Sequence, residues 1–139
     1  MVVTEFQKII DDFEFLDDWE DRYRYIIDLG KNLEPLEEAL RNERSKVNGC
    51  ASQVWLAHQS VGAGDGKEIL FRGESDAVIV KGLIAIILKL FNGLRVTEAV
   101  NIDAMEELTK LGLNEHLSSQ RTNGLKAMIE RIRYILTTV

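Results

Sequence analysis

The segment Ala77-Val78-Ile79-Val80-Lys81-Gly82-Leu83-Ile84-Ala85-Ile86-Ile87-Leu88-Lys89-Leu90-Phe91 constrains the fold more than any other part of this 139-residue chain. Only Lys81 and Lys89 interrupt its apolar character. A helix of that composition is apolar on most sides and needs neighbours nearly all around it. It is shorter than the ~20 residues that a bilayer-spanning helix requires. The rest of the chain must therefore wrap a central core helix, leaving one stripe through which the two lysines escape. Hydrophobic residues make up 45% of the chain, enough for that wrapping and far from the composition of disordered segments. The length is that of one domain, so 1–139 is expected to fold as a single unit.

The flanking elements follow from periodicity and from capping signals. Thr4 is positioned to cap a first helix whose apolar face is Phe6, Ile9, Ile10 and Phe13. Asp17 and Glu20 form a capping-box pattern for a second helix, with Tyr23, Ile26 and Ile27 inward and Gly30 at its end. Pro35 suits the first turn of a short third helix through Leu36 and Leu40. Val47-Asn48 reads as a short strand, Ser52 to Gln59 as a second and Glu68 to Arg72 as a third. The Gly62, Gly64, Asp65, Gly66 cluster turns the chain between the last two, giving an antiparallel hairpin. Ser75 or Asp76 caps the core helix, and Asn92-Gly93 closes it. Thr97 begins a short helical piece, Asp103 and Glu106 cap another that Gly112 stops, and Ser118 or Ser119 caps the last. In that last helix Leu125, Met128, Ile129, Ile132 and Leu136 mark the buried side. Helices, then a small antiparallel sheet of about three strands, then more helices indicate an α+β class. No phosphate-binding glycine motif follows a strand.

The net charge of −6 is unevenly spread. Residues 1–40 hold twelve acids against four bases, whereas the remaining 99 hold eleven against thirteen. An acidic chain lacks the clustered Lys and Arg that phosphate neutralisation needs, which argues against nucleic acid as a partner. The acidic end is either a solvated helical face or a docking surface for a basic partner. The first residues carry acids early and no apolar run after a basic start, so no signal peptide is expected. A single cysteine fits a reducing compartment, and a cytoplasmic location away from membranes is the expectation.

That cysteine, Cys50, stands in Val47-Asn48-Gly49-Cys50-Ala51-Ser52-Gln53-Val54-Trp55-Leu56. It has no internal disulfide partner and cannot alone hold a structural zinc or a cluster. Gly49 permits a sharp change of direction just before it. Two readings stay open from the residues: a small buried hydrophobe, or a thiolate nucleophile on a glycine-hinged loop. Thiolate formation needs nearby positive charge, for which Arg44, Lys46 and Arg121 are candidates in sequence. His58 lies eight residues further along, about 25 Å in an extended strand, too far to act as its base. His116 is in a loop and could approach.

Four stretches together resemble a known family. Besides the segment around Cys50 they are Arg22-Tyr23-Arg24-Tyr25-Ile26-Ile27-Asp28-Leu29-Gly30, Gly73-Glu74-Ser75-Asp76-Ala77-Val78-Ile79-Val80-Lys81-Gly82-Leu83 and Leu117-Ser118-Ser119-Gln120-Arg121-Thr122-Asn123-Gly124-Leu125. In this order and spacing they resemble the SufE-type sulfur acceptor proteins. Where that family more usually has glutamine after the cysteine, this chain has Ala51. The resemblance implies a fold related to the iron–sulfur scaffold proteins (SufE/NifU-like), with the cysteine on a loop at one end of the sheet. It implies a sulfur carrier that takes persulfide sulfur onto Cys50 from a pyridoxal-phosphate cysteine desulfurase of the SufS or CsdA type. The carrier stimulates that enzyme and delivers the sulfur to an iron–sulfur scaffold complex. The chain itself would then hold no cofactor and no metal, and would not catalyse a reaction independently. Arg121 becomes a candidate stabiliser of the thiolate or persulfide anion. Asp76 becomes a candidate either for capping the core helix, the preferred assignment, or for positioning the loop.

Sulfur transfer follows the logic of thiol–disulfide exchange and requires no general base or metal. A persulfide is easily oxidised, so an apolar recess near Trp55 or the core helix is expected to shelter it. Shelter and delivery conflict, so the Cys50 loop is expected to swing outward on docking, hinged at Gly49. A different class of function remains beside this one: a non-covalent activator of a desulfurase in which Cys50 is only structural. A redox sensor lacks its resolving cysteine, and a cluster scaffold lacks ligands.

Overall fold

The computed structural model describes residues 5–50 and 52–139, so the Thr4 cap and the Ala51 side chain lie outside the described residues. The elements in chain order are α1 (Glu5–Glu14), α2 (Trp19–Lys31), β1 (Val54–Val61), β2 (Glu68–Ser75), α3 (Val78–Phe91), α4 (Val96–Ala99), α5 (Ala104–Thr109), α6 (Leu113–His116) and α7 (Ser119–Thr138). The mixed helix and strand class holds, with a small antiparallel sheet packed on helices.

The apolar segment forms α3, and eleven of its fourteen residues are buried. Its two lysines leave the core by ion pairing: Lys81 reaches Glu74 at 3.3 Å and Lys89 reaches Glu5 at 2.9 Å. The closest neighbour of α3 is α2, and glycine makes that approach possible. A Cβ on Gly82 would stand 2.1 Å from the Ile26 carbonyl oxygen, and one on Gly30 would stand 2.6 Å from the Gly82 nitrogen. Both distances are far inside van der Waals contact, so the two backbones touch. Gly30 is thus a packing residue inside α2, not its terminator, and the helix runs on to Lys31. Its N-cap is Asp18, one residue past the expected Asp17, and the carboxylate accepts from the Asp21 amide at 2.9 Å.

β1 and β2 pair antiparallel from Val54↔Ser75 to Val61↔Glu68. Along β2 the buried positions alternate, placing Ile69, Phe71, Gly73 and Ser75 on the side facing α3. The expected third strand is reduced to a rung. The Val47 amide donates to the Val54 carbonyl and the Leu56 amide to the Ser45 carbonyl, each at 2.8 Å, and Lys46 bridges Trp55. The sheet proper therefore has two strands. Nor does the Pro35 region form an α-helix; it contains only a 3-10 turn at Glu38–Leu40.

α7 closes another side of α3 with Leu125, Met128, Ile129, Ile132, Ile135 and Leu136. Ser118 caps it, accepting from the Arg121 amide at 3.2 Å. Asp103 caps α5 in the same way, through the Glu106 amide. Among the described residues no helix is long and apolar enough to cross a membrane.

Candidate functional site

The rung at Val47 and Val54 has a consequence for Cys50. Ser45–Val47 and the start of β1 form a narrow antiparallel pair, and Cys50 sits in the connection between them. Both flanking valines are buried, Val47 at 4% and Val54 at 0% exposure, so the connection springs from fixed ends. Gly49 has φ +94°, the left-handed region that glycine adopts without strain. That turn carries the next residue back toward α7.

There the thiol meets a helix with no side chain in the way. The Cys50 Sγ lies 3.6 Å from the Gly124 carbonyl oxygen, to which the S–H donates. A Cβ added at Gly124 would lie 3.5 Å from Sγ, ordinary contact. Cys50 is half-buried, and that burial raises its pKa above the ordinary thiol value. At neutral pH the resting side chain is a thiol, not a thiolate.

Cys50 opens onto a cavity of about 270 Å³. Val80 and Leu83 of α3 and Met128 of α7 supply its apolar lining, while Ser52, Ser118, Gln120 and Arg121 supply polar groups. The recess thus lies at the core helix, not at Trp55, whose ring instead has the Arg41 guanidinium 6.0 Å from its centroid. Arg121 stands on the first turn of α7 and lines the same cavity as Cys50. Among the described residues its guanidinium has no hydrogen bond and no ion pair.

Asp76 has a different job from a helix cap. Its Oδ1 accepts from the Gln53 amide at 3.0 Å, and its own amide donates to the Gln53 carbonyl at 3.4 Å. The N-cap position of α3 is Ala77, which has no side-chain cap. Ser75 serves the helix start instead, its Oγ accepting from the Ala77 amide at 3.2 Å. Asp76 is used up in tethering the far end of the Cys50 connection, so the capping expectation fails on geometry.

Neither histidine joins the site. His58 is exposed on β1. His116 ends α6, stacked on Trp19 with centroids 3.9 Å apart and planes at 18°, and its carbonyl accepts from the Tyr23 hydroxyl. Arg44 and Lys46 contribute carbonyls, not charges: both accept from the Arg131 guanidinium, at 3.1 and 2.8 Å. Arg131, Gly124 and Gln53 were not singled out in the sequence. Their spacing from Cys50 is long or their chemistry is backbone chemistry, and no residue pattern announces either. Among the described residues no three His, Cys, Asp or Glu side chains gather as a metal site.

The SufE family pattern, described as an Fe-S metabolism associated domain, matches residues 7–136. The chain belongs to the SufE family. An uncharacterised SufE-like protein of Rhizobium meliloti (strain 1021) is 55% identical over 131 residues, covering 94% of this chain and 94% of the relative. Another from Rhizobium etli is 51% identical over 133 residues, covering 96% of this chain and 90% of the relative. The solution structure of a hypothetical protein from Thermus thermophilus superposes with a TM-score of 0.73 at 18% identity, covering 95% of this chain and 93% of that one. At that identity the likeness is one of fold. Membership ties this SufE-family chain to iron–sulfur metabolism.

Proposed function

We propose that this SufE-family protein is a sulfur carrier whose working atom is the Cys50 sulfur. The observation that carries this reading is the setting of the thiol. It stands on a positive-φ glycine between two fixed chain ends, beside a recess with an apolar lining and an unpaired guanidinium. A donor persulfide is attacked at its outer sulfur by the Cys50 thiolate. The donor's sulfur–sulfur bond breaks, a new one forms on Cys50, and the donor's inner sulfur departs as a thiolate with the bonding pair. No external oxidant or reductant enters, because the sulfane sulfur keeps its oxidation level.

Burial holds the resting thiol protonated, so transfer requires Cys50 to leave its recess. The connection gives way about Gly49 on docking and returns afterwards, and the loaded sulfur is then shielded from oxidation. Arg121 offers its charge to the anionic persulfide in the recess. The donor is a pyridoxal-phosphate cysteine desulfurase, which the carrier stimulates by unloading it. The recipient is an iron–sulfur scaffold complex, and the setting is the reducing cytoplasm.

Mass spectrometry after incubation with a desulfurase and free cysteine tests this. The expected result is a gain of one sulfur on Cys50, abolished in Cys50→Ser, with Arg121→Ala accepting about tenfold more slowly. Full stimulation of the desulfurase by Cys50→Ser, with no sulfur gained by the natural protein, would replace the carrier with a non-covalent activator.

A further inference from the structure

The chain from Arg44 to Cys50 lies antiparallel along one face of α7, and a single side chain ties it there. Arg131 donates from its two terminal nitrogens to the carbonyls of Arg44 and Lys46. One turn back along the helix, Ala127 meets Gly49: a Cβ on Gly49 would stand 3.3 Å from the Ala127 Cβ. One turn further, Gly124 meets the Cys50 sulfur. Positions 124, 127 and 131 share a helical face. Two small residues let the chain lie close, and the third grips it. Among the described residues Arg131 has no carboxylate partner, and its half-buried guanidinium is given over to these carbonyls.

We propose that Arg131 is a positioning residue for Cys50: it pins the root of the thiol-bearing connection to α7, and so sets where the sulfur rests and how far it travels. The proposal takes from the carrier reading only that Cys50 is the working sulfur. The two ends of the connection are held unequally. At the root, Arg131 adds two charge-assisted bonds to the rung between Val47 and Val54. At the far end, Gln53 is held by the exposed Asp76 alone among side chains. Opening therefore starts at Gln53, and the root stays on the helix. Only Asn48 and Gly49 separate Val47 from Cys50, so the Cys50 Cα reaches at most about 11 Å from that of Val47. A partner must present its sulfur within that radius of the docked root.

Alkylation of Cys50 by iodoacetamide, followed against pH in the full-length protein, tests the role without any sulfur donor. The thiolate displaces iodide and forms a thioether, so the rate reads the exposed thiolate. In Arg131→Met the segment loosens from α7. The neutral-pH rate then rises about fivefold or more and the alkaline midpoint falls, because burial no longer penalises the anion. Arg131→Lys, whose ammonium lacks the two-pronged geometry, falls between the two. Arg133→Met, a neighbouring exposed arginine, leaves the profile unchanged. A folded Arg131→Met protein with the natural rate and midpoint would overturn the proposal. Should that variant fail to fold, an Arg131→Lys profile identical to the natural one does so. Sulfur acceptance failing while the alkylation profile responds as expected would count against the carrier reading alone.

Discussion

Burial holds Cys50 in its protonated form, and that has a measurable signature. The alkylation midpoint of the natural protein is expected above the ordinary thiol value of 9.0. Asp76→Ala, which frees the Gln53 amide, should bring that midpoint down. An unchanged midpoint in Asp76→Ala would show that the carboxylate does not govern the thiol's position. The same shift bears on stability. A thiol whose folded-state pKa is raised binds its proton more tightly when folded. Its contribution is fully present below the ordinary thiol pKa and is lost as pH rises through the folded value. The thermal midpoint of the natural protein should therefore fall relative to Cys50→Ser as pH climbs above 9.0. Parallel curves for the two proteins across that window would remove the effect.

Among the elements, α7 and the Ser45–Val47 rung do most to build the site, and they differ in how readily the sequence reveals them. The apolar spacing of Leu125, Met128, Ile129, Ile132 and Leu136, with Ser118 before it, announces α7 because burial and capping both act locally. Gly49 and Cys50 are likewise visible as a turn bearing a thiol. The rung is visible only in part: Val47-Asn48 reads as a strand, but its reduction to a single bridge between Lys46 and Trp55 is decided by a partner that the fold supplies. The same holds for Asp76. Its position before an apolar helix matches a cap, yet a carboxylate there also reaches the Gln53 amide, and tertiary placement decides between them. Gly124 invites a direct test of its place in α7. A methyl group there meets the sulfur at 3.5 Å without overlap, and glycine inside a helix costs about 1 kcal/mol relative to alanine. Gly124→Ala should therefore raise unfolding free energy by up to about 1 kcal/mol in a denaturant titration. A loss of stability would mean that Cys50 and α7 stand closer than contact distance.

At the scale of the whole molecule, the central helix organises everything else, as its composition requires. Its wrapping was legible from fifteen consecutive residues; the manner of contact with α2 was not. Gly30 reads as a helix stop, and Gly82 as one more position in the apolar run, until the two backbones are seen against each other. Gly82→Ala should destabilise the fold by about 3 kcal/mol, read from chemical denaturation, because a methyl group must displace the Ile26 carbonyl. A near-neutral substitution would show that α2 slides easily on α3. With α2 and α3 engaged at these distances, Val80 and Leu83 are held in place whatever the position of the thiol. The hollow stands open beside the resting thiol, and the polar groups of Ser52, Ser118 and Gln120 on its wall make it a place for water. If Cys50 carries sulfur as proposed, an added sulfur atom would have to displace water from that hollow, so loading would carry a dehydration step.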